Sequence, residues 1–251
     1  MKLHNSCLAL SLLAILLMPV QSAKAQILID VNLKQGGSPS QTGVAVLGIS
    51  SSDSWNNLGI GGGSSNSYST ITDINGTTLS GVSLDYSGGA GFGGSDSPGG
   101  TAMDSATTPL MESYVFSHGG TLTFDISGLS SYIGDTFTLV TYAAGDSNGQ
   151  GSNLTLTAGG TGGNTSTTLT TSATDRKISI GLGDAYNTFT GTLSGSTLTV
   201  HAAALGGNYN GLNGFQLQLN PASVPEPSTY ALLLAGFGGL LLIRRIRRTS
   251  V

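Results

Sequence analysis

The segment Thr121-Leu122-Thr123-Phe124-Asp125-Ile126 alternates polar and apolar side chains without a break. Successive side chains of a β-strand point to opposite faces, so Leu122, Phe124 and Ile126 share one side while the threonines and Asp125 share the other. Phe215, Leu217 and Leu219 repeat the pattern near the other end of the chain. Both segments therefore predict strands with one face on a core and one in water.

Working outward, strand-type runs recur at Ile27–Leu33, Val44–Leu47, Ser69–Ile74, Leu79–Tyr86, Thr136–Ala143, Asn153–Ala158, Lys177–Gly181, Thr188–Leu193 and Thr197–Ala203. With the two quoted segments these make about eleven strands, each bounded by Gly, Asn, Ser or Asp. Charged residues are 9% of the chain and glycines number 39, so helix formers such as Glu, Lys and Arg are scarce. The predicted fold is an all-β, jelly-roll-like β-sandwich with one short helix. That helix falls within Asp104–Phe116, where Leu110, Met111, Tyr114 and Val115 follow Pro109 at helical spacing. Gly88–Gly100 reads as a long loop; no Lys follows it in a nucleotide-binding pattern.

The pairs Thr121/Thr123, Thr136/Thr138, Thr155/Thr157, Thr188/Thr190 and Thr197/Thr199 recur at uneven separations. A solenoid of the ice-binding kind needs one repeat length, so these threonines are expected on outward strand positions.

The two ends differ in kind from the middle. Lys2, the apolar Leu8–Val20 and the small-residue site Ala23-x-Ala25 have the form of a secretory signal peptide, with Gln26 as the first mature residue. The single cysteine, Cys7, is lost with it, which leaves no thiol for a disulfide, a metal or a nucleophile. At the other end stand Pro225-Glu226-Pro227, the uncharged run Tyr230–Ile243, and Arg244, Arg245, Arg247 and Arg248. Two prolines hold the box extended and outside any helix. The uncharged run is fourteen residues, short of the ~20 of a full transmembrane helix, and reaches it with Ser228 and Thr229 added and the arginines snorkelling. The expected organisation is a signal peptide over 1–25, a β-sandwich domain over 26–223, and a sorting tail with a transmembrane helix over 224–251.

Within 26–223, three basic residues stand against twelve acidic ones. A region so acidic is not built for nucleic acid or anionic lipid.

The order of box, apolar run and basic end resembles the PEP-CTERM sorting signal of Gram-negative bacteria. That resemblance implies cleavage by an exosortase and a transient inner-membrane stage. Delivery to the cell surface or extracellular matrix would follow, with signal peptidase acting at the other end.

The early Trp55-Asn56, the Ser127-Gly128-Leu129 that leads into Thr136–Tyr142 and Asp146, and the closing Leu212-Asn213-Gly214-Phe215-Gln216-Leu217 are similar to galactose-binding-like jelly-roll modules. The resemblance implies a sugar groove at one end of the sandwich, with aromatic faces beside carboxylates and amides. Asp53, Trp55, Asn56, Tyr186 and Tyr209 are its candidate contacts, with Tyr68, Tyr86, Asp146 and Asn208 also in reach of loops; for Trp55 the alternative is a core plug under a loop.

Asp146-Ser-Asn148-Gly-Gln150-Gly151 opens like a calcium loop, but Thr157 occupies the position of the bidentate Glu, so a turn is the competing reading. Asp146 and Asn148 are the metal candidates, and structural calcium is the one cofactor this chemistry allows. His118 and His201 are the histidines of the mature region, and neither belongs to H-E-x-x-H. His201, next to Val200 in a strand, is expected to face outward.

The expected function is an exported, non-enzymatic structural or carbohydrate-associating protein with extracellular polysaccharide as partner. The alternatives are a secreted polysaccharide hydrolase and an ice-binding or adhesive surface protein.

Overall fold

Alternation decides which strands form. A computed structural model describes residues 24–35, 38, 40–61, 64–93, 108–111, 113–143, 152–162, 166–169, 186–204, 209–222 and 236–238. The strands in chain order are β1 (Ile27–Lys34), β2 (Asn56–Gly59), β3 (Ser65–Tyr68), β4 (Ser83–Ser87), β5 (Ala90–Gly93), β6 (Ser113–His118), β7 (Thr121–Ser127), β8 (Thr136–Tyr142), β9 (Ser152–Ala158), β10 (Gly160–Thr161), β11 (Ser166–Leu169), β12 (Tyr186–Leu193), β13 (Thr197–Ala204), β14 (Tyr209–Leu212) and β15 (Gly214–Asn220). A single helical turn, α1 (Thr108–Met111), precedes β6.

Two six-stranded sheets carry the core. The first has the order β10-β12-β8-β15-β1-β2 and the second β11-β9-β13-β7-β4-β3; β14-β6-β5 form a smaller third sheet. Leu122, Phe124 and Ile126 of β7 meet Phe215, Leu217 and Leu219 of β15 in one buried cluster between the two large sheets. Residues Gln26–Ala222 make one compact unit, and its architecture is an all-β sandwich.

β1 differs from β7. Ile29, Val31 and Leu33 enter the core, while the alternate Asp30 and Asn32 are also fully buried. Both faces of this strand are covered, because residues 43–54 and α1 lie over the outer side of the first sheet. There Trp55, Leu110, Met111, Val140 and Tyr142 form a second buried cluster. Gly214 lets β15 close on β1, since a Cβ at that position would collide with the Val31 carbonyl oxygen.

Several expectations are corrected. Val44–Leu47 is not a strand but part of the covering loop, whose backbone turns at Gly43 with φ +76° and folds back on Asp53. Ser69–Ile74 contributes an isolated bridge, Thr72 to Thr78, and the strand expected over Leu79–Tyr86 begins at Ser83. Of the helix expected over Asp104–Phe116, Thr108–Met111 is helical, and residues 104–107 and 112 lie outside the described residues. Tyr114 and Val115 belong to β6, where pairing with β14 and β5 outweighs the helical spacing. Ala90–Gly93 of the expected glycine-rich loop is strand β5. Lys177–Gly181 lies outside the described residues. Among the described residues no helix is long and apolar enough to cross a membrane; residues 236–238 are helical and the rest of the expected span is outside them.

Candidate functional site

The second sheet turns Leu122, Phe124, Ile126, Leu198, Val200 and Ala202 into the core, so the intervening positions of β7 and β13 point outward. The registers align these positions across strands: Thr155, His201, Thr123, Ser87 and Ser65 lie in one row over β9, β13, β7, β4 and β3. The neighbouring row holds Thr199, Asp125, Asp85 and Ser67. Rows of this kind repeat at about 4.8 Å between strands and about 7 Å along them.

Three of the Thr-x-Thr pairs, at 121/123, 155/157 and 197/199, thus share this face on adjacent strands. The pairs at 136/138 and 188/190 meet on the first sheet, where Thr138 is the register partner of Thr190. Their unequal separations along the chain had hidden this grouping.

The face is held by its own polar bonds. Thr199 Oγ1 donates to Asp125 Oδ1 at 2.5 Å, and the Ser127 and Thr197 hydroxyls are 3.1 Å apart. Asp85 stands directly opposite Asp125, a like-charge pairing that the Thr199 hydroxyl offsets. His201 is half-buried on the same face, in line with its expected outward position. Chemically the surface is a hydrogen-bonding array of hydroxyls with two carboxylates.

The residues expected to touch sugar are placed elsewhere. Asp53 is buried, and its carboxylate accepts the backbone N–H of Ile49 at 2.6 Å and of Ser50 at 3.1 Å. Trp55 is buried and donates Nε1–H to the Gly43 carbonyl at 2.7 Å, the core-plug arrangement. Asn56 is buried between the carbonyls of Asp30 and Thr72, which its Nδ2 donates to, and the Thr72 N–H, which its Oδ1 accepts. Asp53 and Trp55 fasten the 43–54 loop, and Asn56 ties β2 to β1 and to Thr72.

Tyr186 is half-buried, its ring centroid 6.1 Å from that of Tyr142. The backbone of Tyr209 pairs with His118, and its side chain is outside the described residues. Tyr86 is buried in the core, and Tyr68 donates its hydroxyl to the Gly59 carbonyl at 2.7 Å, with burial pushing that phenol up to about 12.

Asp146, Asn148 and Asn208 lie outside the described residues, as do Ala23, Pro225, Glu226, Pro227, Arg244, Arg245, Arg247 and Arg248. Ala25 is exposed ahead of β1. No group of three or more His, Cys, Asp or Glu side chains arranged for a metal occurs among the described residues.

One polar cluster was not anticipated. On the outer side of the first sheet, Gln216 donates Nε2–H to Asp30 Oδ1 at 3.0 Å and accepts from the Tyr142 hydroxyl at 2.5 Å. Asp30 Oδ2 and Asn32 Oδ1 are buried without a hydrogen-bond partner. Burial pushes the Asp30 carboxyl up to about 7; the Gln216 bond opposes this and the charge of Asp53 adds to it. Its one sequence signal is an aspartate inside the apolar run Ile27-Leu-Ile-Asp-Val31.

The described sandwich ends at β15 and Ala222, whose N–H donates to Asp135 Oδ1 at 3.2 Å. Directly after it, residues 223–248 match the PEP-CTERM protein-sorting motif. The chain carries a PEP-CTERM tail. That tail marks an exported protein of Gram-negative type, processed by exosortase on its way through the membrane.

No curated protein is a significant match to the chain. One solved structure, from work on the "promiscuous specificity of the carbohydrate-binding modules from the beta-sandwich super family", aligns over 80% of this chain and 98% of its own at 11% identity. Its TM-score of 0.23 is too low for any argument.

Proposed function

We propose that the chain is the precursor of a non-enzymatic surface or matrix protein whose sandwich associates with extracellular polysaccharide. Signal peptidase removes residues 1–25, exosortase acts at the Pro-Glu-Pro box, and the sandwich passes to the cell surface or surrounding matrix. The observation that carries the ligand class is the outward face of the second sheet, where Thr155, Thr123 and Ser87 share one row with His201, and Thr199 stands beside Asp125 in the next. A row of hydroxyls matches a chain of hydroxyls, because each group both donates and accepts. With twelve acidic against three basic residues in 26–223, a neutral polysaccharide suits this face better than an acidic one.

The test is a glycan array with the 26–222 segment, comparing the parent with a Thr123→Val/Thr199→Val double variant and with Tyr186→Ala on the other sheet. Retention lost in the threonine variant and kept in Tyr186→Ala supports the assignment. The reverse pattern moves the contact to the first sheet. Turnover of any glycan overturns the non-enzymatic reading in favour of a secreted hydrolase.

A further inference from the structure

The loop over the first sheet is closed on itself at both ends. Gly43 N–H donates to the Asp53 carbonyl at 3.1 Å, and Trp55 Nε1–H returns to the Gly43 carbonyl at 2.7 Å. In its middle, Val46 N–H donates to the Tyr142 hydroxyl at 3.0 Å and Leu47 N–H to Gln216 Oε1 at 2.8 Å. Gln216 Nε2 donates both to the Leu47 carbonyl and to Asp30 Oδ1. One carboxamide thus grips the loop with one side and Asp30 with the other.

We propose that residues 43–54 form a strap over the first sheet, shut while Asp30 carries a proton and loosened when that proton leaves.

The reasoning is electrostatic. Asp30 is fully buried, and Oδ2 has no donor. A neutral carboxyl tolerates that site; a carboxylate there has one carboxamide donor and is strongly under-solvated. Loosening the strap admits water to Oδ2, so ionisation and opening favour each other.

The groups around Asp30 do not rescue the charge. The strap contributes Asp53, which repels it, and β8 contributes Tyr142, backed by Tyr186 of β12. β15 offers the neutral Gln216, and β2 the neutral Asn56, whose Nδ2 donates to the Asp30 backbone carbonyl. Further along β1, the Lys34 ammonium donates to Ser40 Oγ at 3.2 Å. Burial, with Asp53 adding, sets the proton's departure at about pH 7. Opening uncovers Trp55, Tyr142 and Val140, now covered by Ala45, Val46 and Leu47.

Trp55 is the sole tryptophan of the chain, so its fluorescence reports on the strap in the full-length protein in detergent micelles. The expected result is a red shift of emission between pH 5 and 9 with a midpoint near 7, absent in Asp30→Asn. Infrared spectroscopy of the unmutated chain supplies a second readout: the carbonyl band of a buried neutral carboxyl is present at pH 5 and disappears over the same range. Loss of the band together with the red shift supports the strap, even if Asp30→Asn does not fold. Loss of the band without a red shift, absence of the band at pH 5, or a shift that persists in folded Asp30→Asn overturns it.

Discussion

Asp30 and Gln216 face each other across the β1–β15 pair, Gln216 Nε2 lying 3.0 Å from Asp30 Oδ1. Both residues are fully buried on the side of the sheet away from the main core. A sandwich sheet whose outer positions met water would have no use for such a pair. Here the 43–54 loop converts an outer face into a second interior, and the polar side chains left beneath it must satisfy one another. Gln216 uses both amide hydrogens and its oxygen in doing so; Asp30 uses one oxygen.

Stability should fall as pH rises from about 4 to about 7. The folded-state pKa of Asp30 is raised from 3.8 to about 7, so below pH 4 the proton is bound in both folded and unfolded chains and the contribution is fully present. Between those values the unfolded chain releases its proton and the folded chain keeps it, which favours unfolding. That difference in proton affinity amounts to about 4 kcal/mol at most, lost by the time pH passes 7. Urea denaturation at pH 4.5, 6 and 8 measures the slope, and Asp30→Asn should flatten it. A wild-type stability that climbs over this range contradicts the assignment.

Tyr142→Phe removes the acceptor of Val46 N–H and a donor to Gln216 while keeping the ring that packs on Trp55 and Leu110. A loss of about 1 kcal/mol is expected, since the half-buried Val46 N–H loses its acceptor while Gln216 Oε1 keeps the Leu47 N–H. Because the same bonds fasten the strap, Trp55 emission should move to the red already at pH 5. A loss of stability with unchanged emission would place the cost in the sheet and not in the strap.

Much of the sandwich was legible because β7 and β13 are covered on their core side only, and a half-covered strand writes alternation into its sequence. β1 alternates in sequence from Ile29 to Lys34 but not in burial, since Asp30 and Asn32 are as buried as Ile29 and Val31. Val44–Leu47 has strand composition, yet it lies as a loop because its N–H groups bond to the Tyr142 and Gln216 side chains in place of a neighbouring strand. In β6 the buried Ser113, Val115 and Ser117 follow period two, while Leu110, Met111, Tyr114 and Val115 also satisfy a helical spacing. Only long-range pairing separates those readings. Trp55 and Asp53 stood out by residue type, and type does not reveal that their side-chain polar atoms are engaged by the loop itself. The hydroxyl rows depend on register between strands far apart in sequence, which no local pattern contains.

Gly128→Ala should destabilise the sandwich by about 2 kcal/mol or more. Gly128 has φ +82°, and a Cβ there would run into the Gly81 carbonyl oxygen. The residue ends β7 where Leu129 N–H donates to the Ser196 carbonyl at 2.9 Å, tying the exit of β7 to the turn before β13. A shift in the urea midpoint with an unchanged m-value is the expected signature; a midpoint equal to the parent's would show that the turn relaxes freely.

Glu226→Gln should arrest processing of the PEP-CTERM tail without touching the sandwich. Glu226 is the only charged residue between Asp184 and Arg244, and it stands between Pro225 and Pro227 in the matched motif. The sandwich closes at β15 and Ala222, immediately before the matched residues 223–248. In cells of the source bacterium, the variant should accumulate as a larger species in the membrane fraction, with unchanged urea stability of its folded part. The parent should appear smaller and outside the inner membrane. Release of the variant at the parent's size would show that the carboxylate is not read, and would move recognition to the apolar run or the arginines.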